Sequence, residues 1–193
     1  MLVVPLPPLV NNPYNGGTPL NETDASVCAV VYESAARDLY RLETFDSIDS
    51  AQGAGAFITH AHPCGVCSTL HDLASYMEID MTGPVRKCGM LHPGHAADVA
   101  CLISAVNFTE PCAEMWAFNT ANTRQHCELI CLLWINQPYN LPDGSLNPCL
   151  QCDEDMSGPI FKAYAGRTRR GSGLLSEIQR PASQIFRLEH DYF

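Results

Sequence analysis

The sequence predicts a mainly α, disulfide-braced domain with an extended N-terminal arm and an irregular C-terminal third. Three observations carry that expectation. Ten cysteines, an even number, occur in 193 residues, which suits a bridged framework. Apolar residues recur at helical spacing through the middle of the chain. The N-terminal arm and residues 137–148 are instead rich in Pro, Asn and Gly, residues that interrupt such runs. The length favours one core and one domain, and 17% charged against 46% apolar residues excludes a disordered chain.

The elements follow in order. Residues 1–20, MLVVPLPPLVNNPYNGGTPL, form the arm, whose prolines favour an extended conformation on a surface, its own or a partner's. A single helical domain then covers residues 21–193. NETDASVCAVVYESAARDLYRLETF, residues 21–45, reads as a helix with Asn21 or Thr23 as N-cap and Cys28, Val31, Ala35, Leu39 and Leu42 on one face. Residues 46–62 read as a loop in which Ala56 to His60 can form a short strand. A second helix begins near Pro63, a residue suited to the first helical position, with Cys67, Leu70, Ala74 and Met77 inward. MTGPVRKCG, residues 81–89, reads as a turn-rich connector.

A third helix follows HPGH, with Val99, Leu102, Ile103 and Val106 toward the core. Thr109 caps a fourth helix, and Glu110 and Pro111 fit its first turn. NTANT at 119–123 is expected to end it. Its polar residues Asn119, Asn122 and Arg124 either line a pocket or simply punctuate the helix. A fifth helix then carries Cys127 and Cys131. From Leu129 to Ile135 it is apolar nearly all round, so it is expected to be the central buried helix. LPDG at 141–144 is a turn, because Pro presets φ and Gly accepts a positive one. PIFKAYAG at 159–166 is a short amphipathic piece, and LLSEIQR at 174–180 reads as a last helix.

Charge and hydropathy exclude some functions. Eleven basic against 21 acidic residues give a net charge of −10, a field that repels nucleic acid phosphates. No apolar run approaches the roughly 18 residues of a membrane span. The N-terminus lacks the basic region of a signal peptide, so if the protein is exported its leader is expected to lie upstream or to have been removed. Two glycosylation acceptors, Asn21-Glu22-Thr23 and Asn107-Phe108-Thr109, join the cysteine count in favouring a secreted or organelle-lumen setting.

The chemistry concentrates in HAHPCGVCSTLHD, residues 60–72. Cys64 and Cys67 at a helix N-terminus would have lowered thiol pKa values and act as nucleophiles or ligands. A metal site would use His60, His62, Cys64, Cys67 and His71, with Cys88, His92 and His95 as a second cluster, and thiolate with imidazole suits zinc or copper. A Cys–His nucleophile would pair Cys64 with His60, His62 or His71 as base. The alternative is that all cysteines form structural disulfides, drawing on Cys28, Cys88, Cys101, Cys112, Cys127, Cys131, Cys149 and Cys152 as well. Cys127 and Cys131 lie four apart on one helix and cannot easily bond each other. Each is therefore expected to reach a different helix, with Cys101 and Cys112 as plausible partners.

An apolar strand-like segment, then Cys64-Gly65-Val66-Cys67, then an amphipathic helix resembles the thioredoxin active-site region. The Trp that precedes that motif is missing here, and no βαβ pattern follows. The resemblance implies a redox role for Cys64 and Cys67.

Arg167, Arg169 and Arg170 in GRTRR stand out in an acidic chain. They could hold a carboxylate or phosphate bidentately, or pair with the acidic run Asp153 to Asp155, or dock a partner. Two functions follow: an extracytoplasmic Cys/His protein that binds metal or runs thiol chemistry, and a non-catalytic structural or interaction subunit with every cysteine bridged. In the second, the N-terminal arm and the arginine cluster contact neighbours.

Overall fold

The computed structural model describes residues 2–92 and 94–192. It shows a mixed α/β fold: a four-stranded sheet packed beside a helical layer. The expected mainly α class is thereby corrected, and the correction begins at residue 27. Val27–Tyr32 and Leu39–Phe45 are strands β2 and β3, paired antiparallel with Val30 opposite Leu42. They replace the helix expected over 21–45. Both faces of β2 are covered. Val27 and Ala29 pack with Ala51, Ala56 and Phe186, whereas Val30 packs with Leu73 and Tyr192. Burial on both sides removes the polar alternation that identifies a strand, and a continuous apolar run then also fits a helical period. The β-branched and aromatic content of VCAVVY and LYRLETF is the signal that favours strands.

Leu2–Val3 form β1, parallel to β3 at one edge. Phe57–Ala61 form β4, antiparallel to β2 at the other, with a bulge between Cys28 and Ala29. The sheet order is β1-β3-β2-β4. The arm therefore lies on this chain's own surface. It adds an edge strand, and farther along Tyr14 donates to Asn119 Oδ1 at 2.8 Å. The region expected as a loop contains a short helix, α1, Ile48–Gly53, whose N-cap Ser47 forms a capping box with Ser50.

The second helix, α2, runs Leu70–Glu78 behind N-cap Thr69, not from Pro63. Residues 81–89, expected as a connector, lie in α3, Thr82–Leu91. Helix α4, His95–Val106, starts where expected and ends on Asn107 in the left-handed conformation. Leu102 and Val106 are buried, whereas Ile103 faces out. Helix α5 is one piece, Glu110–Leu133, with N-cap Thr109. NTANT does not break it, because its side chains find partners across the layer. Asn119 accepts from Tyr14, Thr120 bonds Asp98, and Thr123 bonds Asp153. With those groups satisfied, no competing local turn is favoured.

The C-terminal end of α5 is not the central buried helix. Leu129 is 80% and Leu133 75% exposed. Two disulfides clamp this end to α6, Pro148–Met156. Helix α7, Gly158–Ala165, follows directly. Residues 174–180, expected as a helix, form an irregular strap. Their main-chain groups bond outward: Glu177 N–H to Asp80 and Gln179 N–H to Asn140.

The main core lies between α2, α3, α4, α5 and α7, where Tyr76, Met81, Leu102, Phe108, Met115 and Phe161 meet. Among the described residues no helix is long and apolar enough to cross a membrane.

Candidate functional site

All ten cysteines are bridged: Cys28–Cys64, Cys67–Cys112, Cys88–Cys101, Cys127–Cys152 and Cys131–Cys149. The Cα–Cα distances run from 4.5 to 5.9 Å, ordinary disulfide geometry. Cys64 and Cys67 belong to different bridges, one to strand β2 and one to helix α5. They precede α2 rather than open it, and Cys67 is bonded to the first turn of α5. Neither is a free thiolate in this state. Cys127 and Cys131 do not reach different helices, and neither pairs with Cys101 or Cys112. Residues four apart on α5 meet residues three apart on antiparallel α6, which makes a double clasp.

Gly65 has a packing role in the HPCGVC turn. A Cβ there would lie 2.3 Å from the Tyr164 carbonyl oxygen, because Val66 and Cys67 donate their N–H groups to the last carbonyls of α7.

The histidines are dispersed. His71 bonds the Asn107 carbonyl at 2.7 Å, and His95 stacks on Phe118 at 4.2 Å. His92 caps the end of α3, and His62 has a positive φ and an unpartnered Nδ1. Among the described residues, no group of three or more His, Cys, Asp and Glu is placed to hold a metal ion. The zinc or copper expectation at residues 60–71 therefore has no donor set here.

His60 is fully buried. Its Nδ1 lies 2.8 Å from the Ala61 carbonyl oxygen, so Nδ1 carries the proton and donates, and Nε2 accepts from Ser68 Oγ at 2.7 Å. Burial, with the nearby Arg167 guanidinium, holds its pKa well below the usual imidazole range. Between that value and about 6.5 the unfolded chain binds a proton that the folded chain does not. Stability therefore rises with pH through this window and falls on acidification. Buried Asp72 and half-buried Asp153 have raised pKa values and act in the opposite sense at lower pH, so the test is a difference. Urea unfolding between pH 7 and pH 5 should give a His60→Gln slope shallower than wild type by up to about 1.4 kcal/mol per pH unit. Equal slopes would contradict the neutral buried imidazole.

The three arginines of GRTRR take different roles. Arg167 is fully buried. Its guanidinium makes five hydrogen bonds, to Thr59 O and Oγ1, Cys67 O, Ser68 O and Ser172 Oγ. That engages every donor and leaves none for an exogenous anion. Arg169 binds main-chain carbonyls of Tyr76, Ile79 and Leu175. The Arg170 guanidinium meets Glu154 at 3.2 Å, so the expected pairing with the 153–155 run is present for this residue.

Arg169 and Arg170 open onto a cavity of about 720 Å³, within the size range of small-molecule sites. It lies between α3, α5, α6, α7 and the strap. Arg86, Arg124, Lys162, Arg169, Arg170 and Arg180 line it, six of the eleven basic residues of a chain with net charge −10. Tyr76, Trp116 and Phe161 provide an aromatic wall, with Trp116 and Phe161 centroids 4.4 Å apart and Trp116 donating to Tyr76 Oη at 3.0 Å.

At one side three cations converge on one carboxylate. Glu154 takes Lys162 at 3.6 Å, Arg170 at 3.2 Å and Arg180 at 3.2 Å, and Lys162 also meets Glu22 at 2.7 Å. Beside them Asp153 is half-buried, with a raised pKa from desolvation. The arrangement has excess positive charge and unused guanidinium donors, which suits an anion.

Sequence reasoning found Arg169 and Arg170 and missed Lys162, Arg180 and Arg86. The polar break at Asn119 and Arg124 was the one sequence signal for the opposite wall, and both residues do line the cavity.

The fold and site define a disulfide-braced α/β domain carrying a cation-lined cavity. Residues 95–188 match a family of unknown function, DUF8771, a segment that contains five of the six cavity cations and lacks Arg86. No curated protein and no solved structure matches the chain.

Proposed function

We propose that this is a non-catalytic binding protein of an oxidising, extracytoplasmic compartment, whose sulfurs brace the scaffold and whose cavity holds an anion. One observation carries the reading: more than half of the cations of an acidic protein face a single cavity, while every cysteine is bridged. Five disulfides suit an oxidising setting, because a reducing cytosol would open them. The first function expected from the sequence, a Cys/His site for metal or thiol chemistry, has less support, since its sulfurs sit in two separate bridges and the described residues hold no group of three or more metal donors. Asn21 and Asn107 are both exposed, so both acceptors are open to glycosylation in such a compartment.

The test is thermal unfolding with a panel of carboxylates, sulfates and phosphates at constant ionic strength, for wild type and an R170Q/R180Q double variant. At least one anion should raise the wild-type Tm, as binding to the folded state requires. The variant should lose that response while its unliganded Tm stays within about 3 °C, a shift of roughly 1 kcal/mol in a domain of this size. No response in any anion, or equal responses in both proteins, would overturn the reading.

A further inference from the structure

The cavity's two linings specify more than charge. Its aromatic and aliphatic surface, from Trp116 and Phe161 to Met81, Val85 and Leu174, is continuous with the main core. Its acid-binding groups gather instead at Glu154, where among the described residues the Arg170 and Arg180 guanidinium groups engage only that one carboxylate. The contrast with Arg167, whose five donors are all bonded internally, shows that this fold can saturate a guanidinium where the role is structural. Arg180 also feels Arg170 as a like charge, which lowers its proton affinity alongside burial. An additional negative group there relieves that repulsion.

We infer that the cavity takes an amphipathic carboxylate, its head held by Arg170 and Arg180 and its apolar body lying against Trp116 and Phe161. The inference rests on the anion-binding reading above and adds the ligand class. A small hydrophilic anion would leave the apolar wall wet. A neutral apolar molecule would leave the guanidinium donors unmatched. A carboxylate on an apolar chain meets both demands, and a fork of two guanidinium groups can accept it bidentately. The strap is the third wall: Leu174, Leu175 and Ile178 line the cavity, and its anchors on Asp80 and Asn140 hold it in place.

The experiment uses the full chain with its disulfides intact and a W134F change, which leaves Trp116 as the single tryptophan of the two. Dodecanoate, acetate, inorganic phosphate and dodecanol are titrated, with Trp116 fluorescence and calorimetry as readouts. Each buried CH₂ adds about fourfold in affinity, so dodecanoate should bind at least about 100-fold more tightly than acetate and perturb Trp116. The R170Q/R180Q variant should lose about tenfold or more for dodecanoate and little for dodecanol.

Acetate or phosphate binding as tightly as dodecanoate would overturn the ligand class and leave the anion reading standing. Dodecanol matching dodecanoate, with no effect of the arginine changes, would overturn both. So would the absence of binding by all four. Binding with Trp116 silent would place the ligand elsewhere and sink the site.

Discussion

Reduction of the five disulfides is expected to unfold this protein at 25 °C without added denaturant. The bridges close loops with sequence separations of 36, 45, 13, 25 and 18 residues. On the chain-entropy account each contributes about 3–4 kcal/mol. The loops are interlinked, so the sum is not additive, but even two or three such contributions match the roughly 5–15 kcal/mol net stability of a typical domain. The structure shows why the dependence is strong. The exposed end of α5 offers Leu129 and Leu133 to solvent, and the Cys127–Cys152 and Cys131–Cys149 clasp holds that end to α6. Circular dichroism and thiol counting during titration with reductant check this. Native signal with ten titratable thiols would show that packing alone suffices. Zero free thiols in the unfolded, unreduced protein is the companion result.

Replacing Arg167 should be the most damaging single substitution on the polar side of the fold. Its guanidinium joins strand β4 through Thr59, the disulfide turn through Cys67 and Ser68, and the following 3-10 turn through Ser172. Burial pulls its pKa down to about 10, so it remains charged at neutral pH. No carboxylate is paired with it among the described residues, and carbonyl dipoles solvate the charge. Arg167→Ala would strand three buried carbonyl oxygens, each costing about 1–3 kcal/mol, and open a void. A loss of about 4–6 kcal/mol is expected by urea unfolding. Arg167→Lys keeps the charge but offers three donors in place of five, so a smaller loss of about 2–3 kcal/mol is expected. An Ala variant within 1 kcal/mol of wild type would refute the keystone role. Because Arg167 does not line the cavity, the Lys variant should bind anions as wild type does.

These two results locate what could be read before folding. Cysteine parity, the Thr109 cap, the start of α4 and the LPDG turn, where Gly144 has a φ of +85°, are local properties. Composition and a few neighbours settle them. Short-range periodicity failed at residues 21–45, where burial of β2 on both faces gave that strand the look of a helix. It failed again at Leu129–Ile135, where an apolar surface stays exposed because bridges, not burial, fix the helix. The arginine cluster was legible as a cluster but not as a division of labour. Nothing local distinguishes Arg167, which the core consumes, from Arg170, which faces the cavity.

By itself, then, the sequence determined the chain's acidity, its fully pairable sulfur content and most of its helical middle, because these depend on residue type and on spacing within a few turns. Only the tertiary structure decided which sulfurs bond, that residues 27–61 form a sheet, and that cations from positions 86 to 180 surround one cavity. Each of those depends on distances between segments far apart in the chain. Packing and loop closure set such distances, and no local pattern encodes them.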